Sequence, residues 1–188
     1  MTAPETGSIG HQLLPLLNSQ GRTVDVILPD GNCLFRSLSK ALFATSSGHL
    51  TLRKVIVDFI ESNPRYLGGL CNGSLQNHCQ RMRKTGTFGT QAELQAASSL
   101  FQIPVYLFQK PNATRDWEWM VYNPQTKSNL DFSTCPHTAA LQSPTNFHIE
   151  ILYKAAHFDV IASLQPNVLL PPPTLPRSDT CDYVDLSV

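Results

Sequence analysis

Cys33 stands in the stretch Pro29-Asp30-Gly31-Asn32-Cys33-Leu34-Phe35-Arg36. Three turn-forming residues there, Asp30, Gly31 and Asn32, separate an apolar run (Val24, Val26, Ile27, Leu28) from a helical pattern. Leu34, Leu38, Ala41 and Leu42 recur at i, i+4, i+7 and i+8, with Phe35 beside them, so the cysteine falls on the first turn of a predicted helix. The unpaired backbone N–H groups of a helix start, and the positive end of its dipole, favour a thiolate. The same N–H groups, turned inward, can hold the oxyanion of an acyl-transfer intermediate. This is nucleophile chemistry. The competing reading is a buried thiol serving as a small hydrophobe, the commoner fate of a free cysteine; the local pattern leaves both open.

A thiol nucleophile needs a base, and the chain offers two candidates of one kind. In His157-Phe158-Asp159-Val160-Ile161 a strand would put His157 and Asp159 on one face, with Phe158 and Val160 on the other. A carboxylate so placed can fix the tautomer and orientation of an imidazole. His148 and Glu150 have the same i, i+2 relation in the preceding apolar run, so periodicity alone makes them a rival pair. Either histidine could instead be a half-buried strand residue, and Asp159 a surface carboxylate.

The elements that must position these groups are legible to different degrees. A short buried strand is predicted over residues 24–28 and a helix over about 33–44, ending in the polar cluster 45–48. Leu52, Val55, Ile56, Phe59 and Ile60 mark the clearest helix, with Arg53, Lys54, Asp58 and Glu61 assigned to its solvent face and Asn63-Pro64 ending it. A further helix is predicted around 74–84, on a thin stripe of Leu75, Cys79 and Met82. Thr90-Gln91-Ala92-Glu93 has capping-box spacing and opens a helix through Leu94, Ala97, Leu100 and Phe101. Strands follow over residues 103–108, 117–122, 147–153 and 157–161. Before residue 21, Leu13, Leu14, Leu16 and Leu17 can pack, but Pro15, Gly10 and Gly21 are expected to limit a helix.

Composition narrows the function classes. A chain of 188 residues is long enough for one well-buried domain. Lys+Arg and Asp+Glu both number 14, which argues against nucleic acid or an anionic membrane as the main partner. The basic run Arg81-Met82-Arg83-Lys84 reads as a solvated helix end. Five cysteines without a C-x-x-C pair, and no signal peptide, suggest free thiols in a reducing compartment, hence a cytoplasmic protein, with the nucleus as another option. Cys71, His78 and Cys79 match no zinc spacing, so no metal or other cofactor is expected. No apolar run approaches the roughly 20 residues that span a bilayer. Beyond Ser163, Pro166, Pro171, Pro172, Pro173 and Pro176 predict an extended, disordered tail. Its Pro173-x-x-Pro176 spacing before Arg177 is a common pattern for an SH3-type partner; a plain tail is the competing reading.

Cysteine early and histidine late is the order of papain-like peptidases. The specific sequences resemble an ovarian-tumour (OTU) domain cysteine protease, a deubiquitinase family. Asp30-Gly31-Asn32-Cys33-Leu34-Phe35-Arg36 matches its nucleophile motif D-G-x-C-[LF]-[FY]-R at every fixed position. Phe88-Gly89-Thr90-Gln91-Ala92-Glu93-Leu94 is similar to its W-G-x-x-x-E-L segment, with Phe88 in place of the usual tryptophan and expected to fill the same aromatic socket. Residues 148–153 followed by His157-Phe158-Asp159-Val160-Ile161 resemble its closing hairpin and H-[YF]-[DN]-x-[VI] end. The resemblance spans residues 24–161 and implies an α/β (α+β) papain-like fold, a small, mostly antiparallel central sheet flanked by helices. It implies a catalytic domain over 1–163 and a separate tail over 164–188. It also implies roles: Cys33 as nucleophile, His157 as base and acid, Asp159 orienting the imidazole, and backbone N–H groups of Asp30, Gly31, Asn32 and Cys33 as the oxyanion hole. Asp30 itself would structure the loop. Ubiquitin or polyubiquitin would be the partner and its C-terminal isopeptide bond the substrate. The alternatives are a catalytically silent ubiquitin-binding module, or a cysteine protease acting on another ubiquitin-like modifier or a polyprotein junction.

Overall fold

The computed structural model describes residues 10–112, 115–135, 147–165 and 168–175. Helix α1 (Gly10–Ser19) carries Pro15 inside it, although the sequence predicts that this proline would limit a helix. Leu13 and Leu17, one turn apart, are both buried, and that burial outweighs the hydrogen bond the proline removes. Strand β1 covers only Arg22–Asp25. The strand predicted to Leu28 therefore stops short: Ile27 turns inward while Val26 and Leu28 stand 76% and 62% exposed.

Helix α2 (Cys33–Phe43) begins at the cysteine and ends at Ala44 in the left-handed conformation. Helix α3 (His49–Ser62) buries the predicted stripe, Val55 only in part, but Arg53, which periodicity puts on the solvent face, is also buried. A single turn, α4 (Pro64–Leu67), follows. The next helix is α5 (Leu75–Met82), whose Ser74 cap accepts from the Asn77 amide at 3.2 Å. Arg83, just past it, pairs with Asp58 and Glu61. Helix α6 (Gln91–Phe101) opens on the predicted capping box, the Thr90 amide donating to Glu93 Oε2 at 2.7 Å.

Strands β2 (Val105–Gln109), β3 (Glu118–Tyr122), β4 (Ile149–Lys154) and β5 (His157–Ser163) join β1 in one sheet of order β1-β5-β4-β2-β3. Only β2 and β4 run parallel, so the architecture is the mixed α+β, mostly antiparallel arrangement expected. Alternation splits the sheet into two faces. Leu107, Ile151, Phe158 and Val160 join the main core with Phe35, Leu38, Ile56 and Leu94 from α2, α3 and α6. Phe108, Trp119, Leu152 and Ile161 point the other way and pack with Leu13 and Leu17 of α1.

Residues 168–175 lie against the domain. Arg22 Nη2 donates to the Pro171 carbonyl at 2.8 Å, and Pro173 is buried. The expectation of an unpacked tail therefore fails for this stretch, because a buried arginine takes an acceptor from its backbone. Pro176 and Arg177, the end of the SH3-type pattern, lie outside the described residues. Among the described residues no helix is long and apolar enough to cross a membrane.

Candidate active site

The turn before α2 is held by side chains that reach back to its own backbone. Asp30 Oδ1 accepts from the Asn32 amide at 3.0 Å, and Asp30 Oδ2 takes Arg36 Nε at 3.0 Å and Nη2 at 2.7 Å. The Arg36 guanidinium holds the Asp30 carboxyl well below the usual carboxylate range. Asp30 thus structures the loop, as its residue type suggests. Gly31 sits at φ +74°, and a Cβ there would meet the Gly86 carbonyl oxygen at 2.0 Å, so only glycine fits this turn.

These bonds also sort the expected oxyanion donors. The Asp30 amide is spent on the Leu28 carbonyl at 3.1 Å and the Asn32 amide on Asp30. Of the four amides named from the sequence, those of Gly31 and Cys33 have no oxygen acceptor among the described residues. The Cys33 and Leu34 amides lie toward the Cys33 sulfur.

Cys33 is buried, and burial pushes its thiol above the ordinary range, against the help of those amides and of the Phe158 amide. The helix start was expected to favour a thiolate; desolvation is the larger effect here. One turn along α2, Ser37 Oγ donates to the Phe158 carbonyl at 3.2 Å, which brings this helix to the strand that carries His157.

His157 is the first residue of β5, delivered by a two-residue hairpin in which Ala155 and Ala156 both have positive φ, 49° and 57°. Its ring Nε2 lies 3.0 Å from Asp159 Oδ1, and the same oxygen accepts the Ile27 amide at 2.8 Å. Nothing in the sequence signals that contact: β1 ends two residues earlier, at Asp25, and the Ile27 amide steadies the carboxylate. The imidazole and carboxylate are 22% and 14% exposed, open enough to meet a substrate. Among the described residues no hydrogen bond joins the Cys33 sulfur to the His157 ring. Phe88 stacks on Phe158 at 5.2 Å, filling the aromatic place expected of it.

The rival pair is also formed. His148 Nε2 lies 2.8 Å from Glu150 Oε1, but Glu150 is gripped by Arg22, with Nε to Oε2 at 2.8 Å and Nη2 to Oε1 at 2.7 Å. His78 has both ring nitrogens engaged, Nε2 with Glu93 at 2.8 Å and Nδ1 with the Asn72 amide at 3.3 Å, so neither is left for a metal beside Cys71 and Cys79.

Residues 28–158 match the model of a family described as OTU-like cysteine protease. Curated relatives include human OTU domain-containing protein 5, 25% identical over 53% of this chain and 17% of its own length. A second is the Arabidopsis thaliana ovarian tumor domain-containing deubiquitinating enzyme 6, 23% identical over 48% of this chain and 18% of its own. The chain thus spans less than a fifth of these relatives. Among solved structures, the OTUD1 OTU domain superposes with a TM-score of 0.65 at 19% identity, covering 82% of this chain and 94% of that one. The Hazara virus OTU bound to ubiquitin superposes with a TM-score of 0.55 at 13% identity, covering 77% and 82%. Likenesses this distant establish the fold, whereas the family match runs from before the nucleophile turn to the start of β5. The chain belongs to the OTU-like cysteine protease family.

Proposed function

We propose that this domain is a deubiquitinase that hydrolyses isopeptide bonds at the C-terminus of ubiquitin through Cys33, His157 and Asp159. The observation that carries the reading is the meeting of three things at one end of the sheet: a cysteine on a helix start, an imidazole one residue from the amide facing it, and a carboxylate bonded to that imidazole. Asp159 on Nε2 leaves Nδ1 as the nitrogen that takes the thiol proton. The sulfur attacks the glycine carbonyl carbon, and the oxygen's charge falls to the Gly31 and Cys33 amides. As the bond to the lysine nitrogen breaks, the imidazolium returns its proton to the departing amine, leaving a thioester. Water, deprotonated by His157, then attacks the thioester, freeing the carboxylate and the thiol. A buried, protonated resting thiol suits this sequence, since the imidazole removes the proton as the sulfur attacks an electrophile. Ubiquitin as the partner is supported by the ubiquitin-bound OTU structure that shares this fold. For the tail, the burial of Pro173 leaves an SH3-type partner no access while the segment is docked.

A ubiquitin bearing a C-terminal electrophile tests the reading. Covalent capture lost in Cys33→Ala supports a deubiquitinase. Binding without capture supports the silent binding module, and no reaction at all points to another acyl substrate.

A further inference from the structure

Arg53 is only 2% exposed, yet among the described residues no carboxylate is hydrogen-bonded to it. Its Nη1 donates to the Met82 carbonyl at 2.9 Å. Its Nη2 faces three oxygens, the Thr87 carbonyl at 2.7 Å, Asn32 Oδ1 at 2.9 Å and the Gly31 carbonyl at 3.3 Å. The guanidinium also lies over the Phe35 ring, 4.0 Å from its centroid. Every one of these partners belongs either to the segment 31–35 around the nucleophile or to the segment 82–87 that packs on it. Burial lowers the Arg53 pKa to about 10, with Glu93 and Asp30 working against the fall, so the group is charged at neutral pH.

The geometry places a clamp on one peptide plane. The peptide between Gly31 and Asn32 has its carbonyl on Arg53 and its N–H on Asp30 Oδ1, so it is gripped from both edges. The Asn32 side chain is gripped as well. Its Oδ1 accepts from Arg53, from the Gly86 amide at 2.8 Å and from Thr85 Oγ1 at 3.3 Å, while Nδ2 donates to Asp30 Oδ2 at 3.1 Å. The two amides left to meet an oxyanion, Gly31 and Cys33, flank this plane. Their directions are set by how it is held.

We infer that Arg53 is a positioning residue for the acyl-transfer step: its guanidinium, through the Gly31 carbonyl and the Asn32 side chain, aims the turn's remaining amides at the oxygen that gains charge. The inference rests on the cysteine-hydrolase reading and goes beyond it, since Arg53 touches neither thiol nor imidazole. A planar fork of donors can serve four oxygens of two segments together; the compact ammonium of lysine cannot.

The test uses the full chain and two reactions of the same thiol. Hydrolysis of a ubiquitin C-terminal fluorogenic amide needs the oxyanion donors, whereas alkylation of Cys33 by iodoacetamide needs only the thiol and its base. Arg53→Lys should lower kcat about 100-fold, in the range seen when an oxyanion donor is misplaced or lost, with KM and the pH profile of alkylation within threefold of wild type. Asn32→Ala, which leaves α3 untouched, should lower kcat about tenfold with the same split. A folded Arg53→Lys that keeps kcat within threefold overturns the inference. So does an equal loss of hydrolysis and alkylation, which marks a merely structural residue. Should Arg53→Lys fail to fold, Asn32→Ala decides alone, and unchanged kcat there is fatal. A wild-type chain that neither hydrolyses the amide nor reacts with the ubiquitin electrophile removes the deubiquitinase reading on which this test rests; an active wild type with unaffected variants removes only the role of Arg53.

Discussion

Two histidine–carboxylate pairs of identical spacing lie on one face of the sheet, His157 with Asp159 on β5 and His148 with Glu150 at the start of β4. Each ring nitrogen sits about a hydrogen bond from its acid, 3.0 Å in the first pair and 2.8 Å in the second. What differs is the rest of the carboxylate's surroundings. Asp159 gives its remaining capacity to a neutral donor, the Ile27 amide. When His157 takes a proton, the imidazolium becomes that acid's counter-ion. Glu150 already has a counter-ion in Arg22, which in turn lies over Trp119 and reaches the Pro171 carbonyl. Exposure follows the same division: 22% and 14% for the side chains of the first pair, 8% and 3% for the second. One motif thus yields an open pair at the sheet end, whose acid also meets a neutral amide, and a structural tie where a cation and a covering strap neutralise it.

The sharpest way to break this comparison is to remove each ring in turn. His157→Ala, like Cys33→Ala, should cost at least about 10⁴-fold in kcat for a ubiquitin amide, while His148→Ala should stay within about threefold of wild type per folded molecule. Silence from the His148 variant with activity in the His157 variant would exchange the assignments. The pH dependence sharpens the point. Without His157 the Cys33 thiol must ionise alone, and burial holds it above the ordinary thiol range. Its alkylation should therefore be nearly absent at pH 7 and rise only above about pH 8.5, whereas the wild-type rate should already be substantial at neutrality.

The acids should separate by kind of damage. Glu150→Gln leaves the Arg22 guanidinium buried without its counter-ion, and should cost about 3–5 kcal/mol in urea unfolding with kcat unchanged. Asp159→Asn keeps an oxygen for the Ile27 amide but loses the charge behind the imidazolium. It should lower kcat roughly 10- to 100-fold and shift unfolding by less than about 1 kcal/mol. If Glu150→Gln instead lowered kcat at full stability, the buried pair would belong to the chemistry.

Much of this was legible before the structure because its causes are local. The Thr90 capping box, the α3 stripe closed by Asn63-Pro64 and the cysteine at a turn–helix junction each announce themselves within a few residues. What was misread depends on partners far along the chain. Arg53 looked solvent-facing because a helical period reports the direction of a Cβ, not where a long side chain ends, and its carbonyl partners leave no trace in composition. Val26 and Leu28 looked like strand core, yet β1 ends at Asp25 and the inward turn is taken by Ile27, whose amide is needed at Asp159. Pro15 in α1 was misjudged for a related reason, since tertiary burial of Leu13 and Leu17 overrides a local penalty.

The smallest effect concerns the strap that distinguishes the buried pair. Composition predicts that removing residues 166–188 changes little, but Arg22 Nη2 would lose the Pro171 carbonyl and Pro173 its burial. Arg22 keeps Glu150 and the Gln20 carbonyl, and water can enter where Pro171 was, so the loss should be modest, about 1–2 kcal/mol by urea unfolding. Hydrolysis should not change. Arg22 pairs with Ser163 at the far end of β5, six residues and roughly 20 Å along the strand from His157. A truncated chain with wild-type stability would mean that the strap adds nothing to the tie. A truncated chain of normal stability and reduced kcat would be more damaging, because the two pairs would then be coupled through the sheet face they share.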